Sequence, residues 1–259
     1  MMMRTRDMRS EPVRRVVALG ESTTWGYSVS HKDKCWVNRT VRMIEEFQGE
    51  KVDLINQGIG SNVLTTRCPA YEHSAKPAAL ERVAADVIEL KPDLLFISYG
   101  LNDSRGGTTP EVFREEYQKL INAIRAEINP VIVALNVYYM HEVCYLYEGW
   151  DHADYEVNEV YNLVIKQLAE KNGLILADIY SAEVGVDWFV DEDHCHPNDL
   201  GHLIVANRVF EAVARNCSFV ARTNPAETLI GRFATTYGNG PDRPSSSGET
   251  TDAMNREGS

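Results

Sequence analysis

Val16-Val17-Ala18-Leu19-Gly20-Glu21-Ser22-Thr23-Thr24-Trp25-Gly26 is the stretch on which the fold turns. A short apolar run ending in a glycine reads as a buried strand. The small, glycine-flanked turn behind it puts Ser22 near the start of a helical turn. The same strand-then-helix alternation continues outward from here. Residues 35–48 have helical apolar spacing at Trp36, Val37, Val41, Ile44 and Phe47. Residues 52–56 read as a second strand. Residues 76–90 read as a helix, stopped by Lys91-Pro92. Residues 93–100 form the strongest strand signal, and 110–128 a helix with proline in its first turn. Strand 131–138, helix 151–172 closed by Gly173, strand 174–179 and helix 198–215 complete the series. Repeated βα units imply a parallel sheet with helices on both faces, because each parallel crossover needs a helix. The expected fold class is α/β, with five strands.

The chain has 259 residues and a formal net charge of -12, with 44% hydrophobic and 25% charged residues. That composition suits a soluble globular protein. The acidic balance and the lack of a basic stripe disfavour nucleic acid and anionic membrane surfaces as partners. No apolar run is long enough to span a bilayer. The Arg- and Met-rich start lacks the apolar core of a signal peptide. Five scattered cysteines without a CxxC pair fit a reduced, cytoplasmic setting. The domain organisation expected is a flexible segment over residues 1–15, a catalytic-sized domain over 16–222, and a tail over 223–259. Pro, Ser, Gly, Thr and Asn crowd that tail and suggest disorder; Leu229, Ile230 and Phe233 leave a docking arm open for its first part.

In such a sheet ligands bind outside the carboxyl ends of the strands, so chemistry is sought just after each strand. Ser22 follows the first strand, where free backbone N–H groups can meet an oxyanion. A serine hydroxyl is a poor nucleophile without an adjacent base, and Ser22 could equally cap a turn. The segment lacks the P-loop lysine and is not a G-x-S-x-G elbow. Gly58-Ile59-Gly60-Ser61-Asn62 follows the second strand, and its glycines permit close backbone approach to a ligand or simply a tight turn. Gly100-Leu101-Asn102-Asp103 follows the third, where the Asn102 amide could donate to an oxyanion or form an Asx turn. After the fifth strand comes Asp191-Glu192-Asp193-His194-Cys195-His196-Pro197. Asp193 and His196 are three apart, which lets a carboxylate orient an imidazole. Asp191 and His194 share that spacing and compete for the role. A metal site would need a further ligand, and no paired His or Cys elsewhere supplies one.

These four segments, in this order, resemble the blocks of the SGNH (GDSL-like) hydrolase superfamily. Gly20-Glu21-Ser22-Thr23 is similar to its Gly-Asp-Ser block, Gly58-Ile59-Gly60-Ser61-Asn62 to its second block, whose glycine gives an N–H to the oxyanion hole, Gly100-Leu101-Asn102-Asp103 to its Gly-x-Asn-Asp block, and Asp193 to Pro197 to its Asp-x-x-His-Pro block. The trailing proline selects His196 over His194. Two positions depart from the pattern. Glu21 replaces the usual aspartate, and Ser61 can fall where glycine is usual, so the second-block N–H belongs to Gly60 or to Ser61. The resemblance spans about residues 16–215. It implies a flavodoxin-like three-layer α/β/α sandwich and acyl transfer to water without metal or organic cofactor. Ser22 would be the nucleophile, His196 the base and Asp193 its orienting carboxylate. The oxyanion would be met by the N–H of Ser22, that of Gly60 or Ser61, and the Asn102 side chain.

The expected substrate is a small-molecule ester, with short acyl esters such as acetylated carbohydrates preferred. Lysophospholipase, thioesterase or acyltransferase chemistry would use the same triad. A protein of this fold with a dead site, holding a sugar or phosphate, is the alternative from another class. The aromatic stretch Tyr138, Tyr139, Met140, His141, Tyr145, Tyr147 and Trp150 could stack on a sugar or pack onto the fold.

Overall fold

The computed structural model describes residues 7–221. Five strands form one parallel sheet: β1 (Arg15–Gly20), β2 (Asp53–Gly58), β3 (Leu94–Ser98), β4 (Val131–Leu135) and β5 (Ile175–Ala177), in the order β2-β1-β3-β4-β5. Every residue of β3 and β4 is buried, as expected of strands covered on both faces, whereas edge strand β2 is half exposed. The connecting helices are α1 (Ser22–Trp25), α2 (Trp36–Gln48), α3 (Ala79–Val83), α4 (Leu101–Arg105), α5 (Pro110–Glu127), α6 (Tyr155–Asn172), α7 (Tyr180–Glu183) and α8 (Asp199–Asn216). Right-handed crossovers place α2, which leads from β1 outward to β2, on the face opposite α5 and α6, which lead the other way. Helix α8 packs beside α2, and α3, α5 and α6 pack in a row. The result is the three-layer α/β/α sandwich expected. No helix among the described residues is long and apolar enough to cross a membrane.

Two segments depart from the sequence reading. The helix expected over 76–90 begins only at Ala79, and Ala84–Ile88 form a π turn. The Asn62 amide donates to the carbonyls of Ala75 and Pro77 at 2.7 and 2.8 Å, which holds 75–77 out of the helix. The lead-in to β1, expected to be flexible, is anchored from residue 7. Val13 is fully buried and exchanges two hydrogen bonds with the Gln48 amide at 3.0 and 2.9 Å. Asp93 accepts from the Arg9 guanidinium and from the backbone N–H of Arg14 and Arg15. The tail expectation for 223–259 lies outside the described residues.

The strand order reverses between β1 and β3. Chains leaving these two neighbours diverge to opposite faces and open a crevice at their carboxyl ends. Helix α8 ties into this region through His202, which is fully buried. Its Nδ1 accepts the Trp36 N–H at 3.2 Å, so Nε2 carries the proton and donates to the Tyr27 carbonyl at 3.1 Å. Burial pushes this imidazole down from 6.5 to about 4. The unfolded chain therefore binds one more proton than the folded one between those values. His202 contributes stability that is present above pH 6.5 and lost as pH falls toward 4. Wild type should exceed His202→Gln in thermal stability at pH 8, and that gap should close below pH ~6.5 by up to about 1.4 kcal/mol per pH unit. Melting curves of both proteins from pH 8 to 4.5 read this, and a gap independent of pH would refute it.

Candidate active site

Ser22 opens α1 directly after β1 and is almost buried. The turn is pressed against the end of β2. A Cβ at Gly58 would lie 2.2 Å from the Trp25 backbone nitrogen, so only glycine allows this approach. The amides of Ser22, Gly60 and Ser61 donate to no protein acceptor among the described residues. Ser61 has φ +55, the left-handed region that favours glycine, while Gly60 does not. The backbone thus places Ser61, not Gly60, at the position with a glycine's conformation.

Glu21 is buried and reaches across to the β3–α4 turn. Its carboxylate accepts the N–H of Gly100 at 2.8 Å and of Asn102 at 3.2 Å. Burial raises its carboxyl, the charge of buried Asp103 adds to this, and the N–H donors of Gly100, Asn102 and Leu101 oppose it. Asn102 itself donates through Nδ2 to the Asn62 carbonyl at 3.0 Å, which leaves its second amide hydrogen for another acceptor. Asn62 is held in turn by Tyr99, whose hydroxyl donates to Asn62 Oδ1 at 2.5 Å. The glutamate that departs from the expected aspartate therefore ties the Ser22 turn to the Asn102 turn.

The loop between β5 and α8 folds into a tight turn. His194 N donates to Asp191 O, Asp191 N to His196 O, and Asn198 caps α8 by accepting from Leu200 and Gly201. Asp193 Oδ1 accepts the N–H of Cys195 and of His196, both at 2.9 Å. Its Oδ2 lies 2.5 Å from His196 Nδ1, and Ser28 Oγ adds a contact at 3.5 Å. Burial disfavours the Asp193 charge, but the hydrogen bonds from the His196 ring and from both backbone N–H groups outweigh it. They hold the carboxyl well below the usual range. His196 Nε2 is 2.8 Å from Ser22 Oγ. The competing pair does not reach the serine loop in this way: the His194 ring lies against His141, centroids 5.3 Å apart.

The stretch after β4 largely packs onto the fold. Tyr138, Tyr139, Met140 and Tyr145 are buried, and the Tyr138 hydroxyl lies beside Ser22 and Thr23. The exposed rings next to His196 come instead from the Ser22 segment. Tyr27 lies on the His196 imidazole, centroids 4.4 Å apart, and Trp25 lies beside Tyr27 at 6.1 Å. Neither stands out in the sequence, because in that reading they belong to a turn. Among the described residues no set of three or more His, Cys, Asp or Glu is grouped to hold a metal ion.

The model of the GDSL-like lipase/acylhydrolase family matches residues 18–204. No curated protein sequence matches the chain. Among solved structures, a lipase/acylhydrolase from Enterococcus faecalis is 21% identical with a TM-score of 0.62, over 77% of this chain and 95% of its own. Axe2, an acetylxylan esterase from Geobacillus stearothermophilus, is 18% identical with a TM-score of 0.60, over 80% of this chain and 96% of its own. LAE5, an α/β hydrolase enzyme from the metagenome of Lake Arreo, is 19% identical with a TM-score of 0.59, over 78% and 95%. At such identities the likeness is one of fold.

The backbone at residues 60 and 61 makes a direct prediction. Ser61→Val forces a β-branched side chain into the left-handed region and should cost about 1–2 kcal/mol. Gly60→Ala meets nothing within 4 Å of the new Cβ and should be neutral or slightly stabilising. Chemical denaturation of both variants checks this; equal losses would contradict the assignment.

Proposed function

Since the chain belongs to the GDSL-like lipase/acylhydrolase family, we propose that it is a serine esterase that works through an acyl-enzyme on Ser22. The reading rests on one observation: Ser22 Oγ, His196 Nε2, His196 Nδ1 and Asp193 Oδ2 form a continuous chain of contacts. Ser22 Oγ attacks the ester carbonyl while His196 Nε2 takes its proton. Asp193 stays ionised, holds the proton on Nδ1 and stabilises the imidazolium. The carbonyl oxygen gains negative charge and is met by the N–H of Ser22, the N–H of Ser61 and the free hydrogen of Asn102 Nδ2. His196 returns its proton to the leaving alkoxide. Water, deprotonated by the same imidazole, then attacks the acyl carbon; the bond to Ser22 Oγ breaks as His196 gives that proton to Oγ, and the acid leaves.

The activity is assigned to residues 16–222, and the substrates to small-molecule esters with short acyl groups. The buried Tyr138, whose hydroxyl lies beside Ser22, supports a small acyl site. The likeness in fold to an acetylxylan esterase is in keeping with acetyl esters. The five free cysteines are all buried, which suits a reducing cytoplasm.

A p-nitrophenyl ester series from acetate to long chain tests this. Acetate and butyrate should turn over fastest. Ser22→Ala and Asp193→Asn should lower kcat by on the order of 10⁴, and Asn102→Ala by about 10²–10³. Full turnover in Ser22→Ala would end the proposal, and an optimum at long chains would end its substrate assignment. Product release as a transferred ester instead of free acid, with alcohols present at low concentration, would make the protein an acyltransferase.

A further inference from the structure

The proposed reaction fixes where the two halves of the substrate must lie. His196 Nε2 delivers a proton to the departing alkoxide, so that oxygen must come within hydrogen-bond reach of Nε2. The oxyanion points elsewhere, toward Ser61 and Asn102. The alcohol half of the ester therefore leaves the acyl carbon along the imidazole side of the site.

That side is built from aromatic rings. Tyr27 lies against the imidazole with centroids 4.4 Å apart and planes tilted by 41°. It is 47% exposed even though it touches the triad, and Trp25 beside it is 57% exposed. Both are fixed to the nucleophile. Trp25 ends the helical turn that Ser22 begins, and the Tyr27 N–H donates to the Ser22 carbonyl at 3.0 Å. The Tyr27 carbonyl is held by His202. Two large exposed rings on a rigid turn, beside the leaving-group position, form a binding surface prepared before substrate arrives.

From this geometry, and resting on the esterase reading above, we infer that Tyr27 and Trp25 form the leaving-group subsite, and that this subsite takes a sugar ring. Two exposed aromatic rings, their planes tilted by 40° to each other, form an angled cleft that suits the C–H face of a pyranose. The sugar hydroxyls remain in water at the rim, and the phenol of Tyr27 supplies a polar edge. A simple alkyl alcohol would cover little of these rings. In the aromatic stretch after β4, Tyr138, Tyr139 and Tyr145 are buried, and the exposed Tyr147 lies beside the Arg105 guanidinium instead of on the imidazole.

The test compares esters that share one acyl group. A monoacetylated methyl pyranoside, phenyl acetate and ethyl acetate all give the same acetyl-enzyme and differ only in the alcohol. The readout is the ratio of kcat/KM for the pyranoside to that for ethyl acetate, in wild type, Trp25→Ala, Tyr27→Ala and Tyr27→Phe. Each alanine variant should lower this ratio about tenfold, and Tyr27→Phe should keep most of it. An unchanged ratio overturns the proposal, because the rings then act on all esters alike through His196. A ratio that falls only for phenyl acetate overturns the sugar assignment. The same variants are also assayed on p-nitrophenyl acetate and butyrate, where a shift in preference between the two overturns the placement, since the rings would then line the acyl side. Ser22→Ala is assayed alongside: retained turnover there refutes the esterase reading itself, whereas lost turnover with unselective ring variants refutes only the subsite.

Discussion

Glu21 has no access to water, so its carboxylate must find its hydrogen bonds inside the protein. It finds them in the N–H groups of Gly100 and Asn102. Those groups sit at the end of β3, and Glu21 sits at the end of β1. The strand order makes these two ends neighbours at the point where the sheet reverses direction. One buried carboxyl thus ties together the turn that presents Ser22 and the turn that presents Asn102. Asn102 then reaches Asn62 behind the second strand, and Tyr99 with Arg82 fixes Asn62 and the Gly20 carbonyl. Three strand ends become one network. The cost is a concentration of buried acid, with Asp103 close to Glu21 and both carboxyls pushed upward by burial. The backbone donors from Gly100, Asn102 and Leu64 make that concentration tolerable.

The longer arm of glutamate suits this role. In the sequence, Glu21 is a departure from the Gly-Asp-Ser pattern, and nothing in a string of letters says which way a buried carboxyl will point. In the fold it is the element that spans β1 and β3. Ser61 follows the same logic. The sequence leaves Gly60 and Ser61 open because either can supply an N–H. The backbone separates them, since a φ of +55 at Ser61 marks the glycine-like position.

The parts that could be read in advance share a cause. Buried parallel strands are runs of apolar residues, so β1, β3 and β4 announce themselves, and the polar residues just beyond them are few enough to notice. Ser22 and Asn102 stand at such positions, Asp193 and His196 stand in the polar loop before α8, and the structure brings all four to the same end of the sheet. What could not be read depends on contacts between distant segments. The helix over 76–90 loses its first turn to the Asn62 side chain. The lead-in before β1 is anchored by Asp93 and Gln48, which are 78 to 84 and 35 residues away. The aromatic stretch from Tyr138 looks like a ligand wall by composition, yet most of it serves the core. Trp25 and Tyr27 look like turn residues, yet Tyr27 lies on the His196 ring with Trp25 beside it, both exposed. Composition marks where aromatic residues are, and only packing decides which of them face water.

His202 links these observations. Its neutral tautomer is set by two backbone partners, the Trp36 N–H on α2 and the Tyr27 carbonyl beyond α1. A protonated ring could not accept from Trp36, and it would add a positive charge near His196, which already lowers the basicity of His202. The ring that holds Tyr27 in place is therefore kept neutral both by burial and by its neighbour. Tyr27 bonds back to Ser22 and lies on His196. Ser22, Trp25 and Tyr27 are thus carried on one turn, tied to α2 and α8 by His202 and to α8 also by Ser30 through Asp199. A reaction whose proton must travel from Ser22 to His196 and on to the leaving oxygen needs these distances kept constant from one step to the next. In this fold the Ser22 turn is held by backbone hydrogen bonds within it and by the buried side chains around it, and the β5–α8 loop that carries Asp193 and His196 is brought to it.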